Sequence, residues 1–184
     1  MRAGIFGYGL AGRVFHAPLL KHSGFEVVAI QTSNPERISQ AQADFPGAVI
    51  CSSAEELLAQ NLDLAVVASI NTAHEVNAKA AIDAGIAVVV DKPMAANLSG
   101  TRELFNYAES KNVPITVYFN RLWDSDTLTI KALLSSKENP IGTPHRFDGR
   151  FERFRPDLAA QSWREQLRSQ HGGGLLLDLQ SHLI

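Results

Sequence analysis

Cysteine is almost missing from this chain: Cys51 is the only one. A single thiol makes neither an internal disulfide nor a cysteine-rich zinc site, which favours a reducing compartment, the cytoplasm. No apolar run approaches the roughly 18 residues that a membrane span needs. Neither sign of charge dominates. The 17 basic and 19 acidic residues leave a net charge of -2, with no basic stripe to suit a nucleic acid or an anionic membrane. The six histidines show no ligand spacing, so no metal is expected. Internal repeats and low-complexity tracts are missing too. With 45% hydrophobic and 20% charged residues, the composition is that of a globular protein and not of a disordered or collagen-like chain. Its 184 residues can bury a real core and suit one domain plus the start of a second. The opening segment, broken by Gly4, Gly7, Gly9 and Gly12 and followed by Arg13, reads as mature structure and not as a signal peptide.

What is present is an alternation. Short β-branched runs at 3–6, 27–30, 48–50, 64–68, 86–90 and 115–118 predict strands covered on both faces. Helical signals lie between them. Asn34 then Pro35 reads as an N-cap with proline at the first helical position, and Ser53 with Glu56 as a capping box. Residues 72–84 are helix formers stopped by Gly85, and a further helix opens at Asn97 or Ser99 and runs to about Lys111. This order predicts an α/β protein with a doubly wound parallel sheet of the Rossmann kind, with ligands along the C-terminal edge of the strands. Pro18 conflicts with the helix expected after the first strand, so a short turn or a kink near Val14 is expected. After Asn120 the pattern changes. Residues 124–134 look helical, and 145–155 alternate as an antiparallel strand with one wet face would. Three glycines then lead into a run, 175–184, within which the chain ends. The expected division is a dinucleotide-binding domain at 1–118 and the opening of a second, unfinished domain at 119–184.

Gly7-Tyr8-Gly9-Leu10-Ala11-Gly12 is G-x-G-x-x-G between a strand and a helix. The first glycine permits the tight turn, the second lets the backbone approach a pyrophosphate, and the third lets helix pack on strand. The helix N-terminus offers free N–H donors to the phosphates. A merely structural glycine turn is the alternative. NAD specificity usually rests on an acidic residue about 20 positions further on. Here Thr32 and Ser33 stand at the strand end, with Arg37 one helical turn beyond. Those groups suit a 2′-phosphate, so NADP is preferred and NAD remains allowed. The alternative is that they only cap the helix.

Asp91-Lys92-Pro93 follows the fifth strand, on the ligand edge. Pro93 keeps Lys92 out of helical geometry. A lysine aimed into the cleft would stabilise an alkoxide or polarise a carbonyl; otherwise it is a solvated surface group. Asp178 and His182 are four apart and share a face if that run is helical. They make either a general acid/base pair or a surface ion pair. Asp124 and Asp126 flank Ser125 and can cap the following helix.

Together these pieces resemble the Gfo/Idh/MocA family of NAD(P)-dependent oxidoreductases. The glycine fingerprint, Ser69-Ile70-Asn71-Thr72-Ala73-His74 against the family's TPNxxH, Asp91-Lys92-Pro93 against EKP, and Gly173-Gly174 with Asp178 and His182 against GGxxxDxxxH stand in the family's order. Ile70 replaces a proline, Asp91 a glutamate, and Gln180 a frequent glycine. Residues 6–19, 120–126, 153–156 and 163–165 look like the branch of NADP-dependent scyllo-inositol dehydrogenases. The resemblance implies Lys92 as the catalytic lysine, His182 as the proton carrier, and Asp178 as the group that positions the substrate or the imidazole. It implies cofactor contacts from Gly7, Tyr8, Gly9, Leu10, Ala11, Gly12, Thr32, Ser33, Arg37, Ser69, Asn71, His74, Asp91 and Lys92. Arg121, Trp123 and Asp124 become candidate substrate residues. It further implies a sugar or polyol substrate, a second domain with an open, mostly antiparallel sheet, and a homo-oligomer of the full-length protein. A non-enzymatic cofactor-binding module remains open, as does a member that uses the cofactor to hydrolyse or epimerise a sugar.

Overall fold

The computed structural model describes residues 1–138, 140–152, 154, 173–174, 178–179 and 182. Four of the five residues of β1 (Arg2–Phe6) are buried, as a strand covered on both faces requires. The other strands are β2 (Glu26–Gln31), β3 (Val49–Cys51), β4 (Leu64–Val67), β5 (Ala87–Asp91) and β6 (Ile115–Tyr118). They form one parallel sheet in the order β3-β2-β1-β4-β5-β6. The order reverses at β1, so the crevice beyond the C-terminal ends of β1 and β4 is the switch point where such sheets bind ligands. All six expected strands are present.

Adjacent side chains of a strand point to opposite faces, and the core divides accordingly. Phe6 joins Leu57, Val88 and Leu104 on one face, while Ile5 joins Tyr8, Ile30 and Val66 on the other. The covering helices are α1 (Ala17–His22), α2 (Pro35–Asp44), α3 (Ala54–Leu58), α4 (Asn71–Asp83) and α5 (Leu98–Ser110). Three of them start at side-chain caps. Asn34 accepts from the Arg37 amide at 3.1 Å, Ser53 from that of Glu56 at 3.3 Å, and Asn97 from that of Gly100 at 2.9 Å. The Glu56 carboxylate in turn accepts from the Ser52 amide at 2.7 Å. Asn97, not Ser99, is the cap of α5.

The proline conflict is resolved by a change of helix type. Ala11–His16 form a π-helical turn, and the Ala17 amide donates to the carbonyl of Gly12, five residues back. Pro18 then falls in the first turn of α1, where its missing N–H leaves no bond unmade.

A 3-10 turn (Asn120–Trp123) leads to α6 (Ser125–Ser135), whose Leu128, Ile130, Leu133 and Leu134 are exposed. The strand expected over 145–155 is not formed in its described part: residues 145–152 are irregular. Alternation supplies the two faces of a strand, but a strand also needs a ladder partner. None of the described residues pairs with this segment. The motif positions at 155–172, 175–177, 180–181 and 183–184, and Arg153, lie outside the described residues. Among the described residues no helix is long and apolar enough to cross a membrane.

Candidate active site

The glycine loop is shaped by two steric demands and one open approach. Gly7 has φ +87°, and a Cβ there would stand 2.8 Å from the carbonyl oxygen of Ala68. A Cβ on Gly12 would collide with the carbonyl oxygen of Gly7. These two positions serve the fold. Gly9 differs: the nearest atoms to its Cβ would be those of the Arg37 guanidinium, at ordinary contact distance, 3.5 Å from Cζ. Gly9 therefore keeps a backbone surface clear beneath a cation.

Tyr8 turns inward and is only 1% exposed. Its hydroxyl donates to Asp44 at 2.9 Å, and the Arg13 Nε donates to the same carboxylate at 2.7 Å. Burial first, then Asp44, push the phenol well above its ordinary pKa, so it stays a donor. Arg13 holds the Asp44 carboxyl below its usual range. Asp44 ends α2, and Arg37 sits in the first turn of the same helix. The loop and the helix that carries its cation are thus tied together.

A cleft of about 350 Å³ opens at the switch point. Gly7, Gly9, Leu10 and Ala11 form one side, with Arg37, Ser69, Asn71, His74, Asp91, Lys92 and Asp178 around it. The other expected cofactor residues lie elsewhere. Gly12 packs behind the loop, Thr32 is buried, and Ser33 is exposed outside the lining. His74 borders the cleft but its ring is committed to the fold. Nδ1 lies 2.8 Å from the Pro93 carbonyl and Nε2 3.2 Å from that of Ser69. It fastens α4 to the turn after β5, where the Lys92–Pro93 peptide is cis.

Lys92 reaches across the cleft. Its Nζ donates to the Asp178 carbonyl at 2.7 Å and to Oδ1 at 3.1 Å. His182 stands in the same charge cluster. Burial, then Lys92 and Arg121, lower its pKa, while Asp178 and Asp91 oppose them. The balance of these influences disfavours the charged imidazolium. It stacks on Phe151 at 5.7 Å between centroids, and Arg121 lies over the other residue of that stack, 4.8 Å from the Phe151 centroid. Arg121 also donates to Asp124 at 2.7 Å. A second cavity, about 460 Å³, is bounded by Arg121, Leu122, Phe147, Arg150 and His182 among others. Trp123 is 77% exposed and lines neither cavity.

Sequence reasoning overlooked Phe151, Arg13 and Asp44. Phe151 shows only as one member of an alternating run. Arg13 and Asp44 are ordinary surface charges until the fold brings them together.

A parallel sheet that reverses at β1, with a glycine loop at the reversal, defines an α/β protein of the dinucleotide-binding class. The chain belongs to the Gfo/Idh/MocA family, whose model, described as an oxidoreductase family with an NAD-binding Rossmann fold, matches residues 1–119. It is 40% identical over 185 residues to the uncharacterized oxidoreductase YdgJ of Escherichia coli, covering 100% of this chain and 51% of YdgJ. It is 37% identical over 186 residues to the scyllo-inositol 2-dehydrogenase (NADP(+)) IolW of Bacillus subtilis, covering 100% of this chain and 50% of IolW. Among solved structures, yvaA from Bacillus subtilis superposes with a TM-score of 0.86 at 34% identity, over 100% of this chain and 49% of that one. The chain thus spans about half the length of the curated relatives it matches.

Proposed function

We propose that the protein carrying this chain is an NADP(H)-dependent dehydrogenase that interconverts a hydroxyl and a carbonyl on a sugar or inositol. The observation that supports this most is the pairing of Lys92 with Asp178 in a cleft whose other wall is the glycine loop, with His182, on the neighbouring cavity, near enough to feel both charges. In this reading residues 1–118 bind the cofactor and residues 119–184 open the substrate domain.

Two features of the cleft support a dinucleotide. Gly9 leaves room for a pyrophosphate against the backbone, and Arg37 stands over that space. No carboxylate occupies the end of β2, where Gln31, Thr32 and Ser33 stand. Arg37, with Ser33 beside its helix, would meet a 2′-phosphate, while the buried Thr32 supports the turn. Ser69 and Asn71 would face the ribose, and His74 would hold the wall behind them.

The bound nicotinamide would supply the two-electron acceptor or donor. The residues of this chain would manage the proton and the charge. His182, kept neutral by burial and two neighbouring cations, takes the hydroxyl proton on oxidation and returns it on reduction. Lys92 stabilises the negative charge that develops on the substrate oxygen. Asp178 holds the ammonium in place through both its carbonyl and its carboxylate. Arg121 lines the cavity beside His182 and is a substrate contact in this reading; Trp123 and Asp124 are not among that cavity's lining.

The test is Lys92→Met in the full-length protein, with NADPH and NADH affinity measured by calorimetry and turnover measured on a polyol panel. The expected loss in kcat is about 100-fold or more, with NADPH affinity nearly unchanged. Normal kcat in the variant would overturn the assignment, and tighter binding of NADH than NADPH would overturn the cofactor preference.

A further inference from the structure

His16 is the last residue of the π-helical turn, and it is 4% exposed. Among the described residues its Nε2 has no hydrogen-bond partner. A buried, unpaired ring nitrogen costs stability that an apolar side chain of similar size would not. Packing alone does not explain an imidazole here.

The ring faces the end of the sheet beside the lysine. Asp91 and Tyr118 are register partners at the C-terminal ends of β5 and β6. The His16 ring lies 4.4 Å from that of Tyr118, and its Nε2 is 3.7 Å from Asp91 Oδ2. The other carboxylate oxygen, Oδ1, accepts the backbone amide of Lys92 at 2.7 Å. One carboxylate therefore has its first oxygen on the lysine's backbone and its second facing His16. The nitrogen is too far for a hydrogen bond as it stands, and a shift of under about 1 Å would close one.

The π-helical turn sets this direction. A wide turn inserts one residue relative to α-helical spacing and rotates the rest of the helix by about 100°. The same turn begins at the glycine loop, since Ala11 and Gly12 are its first residues. His16 is thus rigidly linked to the backbone that would carry the pyrophosphate.

We propose that His16 is a positioning residue for Lys92: the π-helical turn aims its imidazole at the free oxygen of Asp91, and that contact transmits the setting of the glycine-loop helix to the backbone of the lysine. The inference rests on Lys92 as the working lysine of the proposed dehydrogenase. It adds a link that runs from the cofactor loop, through His16 and Asp91, to the Lys92 amide.

The experiment reads Lys92 without requiring turnover. The amines of the full-length protein are acetylated competitively, with and without NADPH, and labelling at Lys92 is quantified by peptide mass spectrometry against the other lysines. His16→Leu, which keeps volume and removes the donor, is expected to change Lys92 labelling by about threefold or more. His16→Gln, whose side-chain amide places a donor near the position of Nε2, is expected to stay near the unmodified protein. An equal change in both variants would mean that His16 only packs, and no change in His16→Leu would overturn the link. If His16→Leu does not fold, His16→Phe decides, because it keeps a ring against Tyr118 and removes the nitrogen facing Asp91. Altered labelling supports the link and unaltered labelling overturns it. Failure of the dehydrogenase reading would appear separately, as turnover indifferent to Lys92→Met.

Discussion

Residues of one type do different work in the glycine loop, and substitution separates them. Gly12→Ala places a methyl against the Gly7 carbonyl and forces the helix from the strand. It is expected to cost about 1–3 kcal/mol in denaturant unfolding, as overpacking does. Gly9→Ala meets only the end of a flexible arginine, so stability should hardly move. Calorimetry should nevertheless find NADPH bound at least about tenfold more weakly, because the methyl would occupy the space proposed for the pyrophosphate. At His182 the prediction concerns pH. Arg121 helps to lower the pKa of the imidazole, so Arg121→Gln should raise it towards the ordinary histidine value. In the proposed reaction, oxidation needs the neutral ring. The acidic limb of kcat/KM should therefore move to higher pH, and a profile unchanged from the parent would show that Arg121 does not act on His182.

At the scale of elements, α2 is held at both ends, by the Asn34 cap and by the Asp44 carboxylate. Arg37 depends on the first of these. Asn34→Ala should lower stability by about 1 kcal/mol, seen as a fall in Tm of a few degrees, and should weaken NADPH more than NADH. Equal weakening of both would mean that Arg37 does not meet the 2′-phosphate. The caps at Asn34 and Ser53 were legible because a cap is a local bond between residues three apart, whereas the sequence left Asn97 and Ser99 as alternatives for the third. The strands were legible because β-branched runs bounded by turns leave few other solutions. The π-helical turn was not, since Pro18 signals a conflict but not its resolution. Alternation at 145–152 misled because pairing is not a property of one segment. In the site, Lys92 and the glycine loop were readable from their place after strands. The stack of Phe151 on His182 joins two segments that no periodicity connects.

At the scale of the whole molecule, the two cores are closed over the sheet, whereas the apolar face of α6 and the side chains of Trp123, Phe147 and Phe154 are open to water. Exposed apolar surface of this kind marks a place where something else packs, or a liability to self-association. The 184-residue chain expressed by itself should bind an apolar fluorescent dye, and Trp123 should emit as a solvent-exposed indole. Leu134→Lys should reduce dye binding without loss of secondary structure, and undiminished binding would place the dye elsewhere. The strand order carries a further consequence, for synthesis. β1 is central, yet both of its neighbours come later in the chain, β2 ending at Gln31 and β4 at Val67. The Gly7 turn is packed against Ala68, so it has no back wall until that residue has left the ribosome. The glycine loop is thus translated well before the segment that completes it. During that interval the strand and helix on either side of Gly7 stand without the backbone that closes the turn between them.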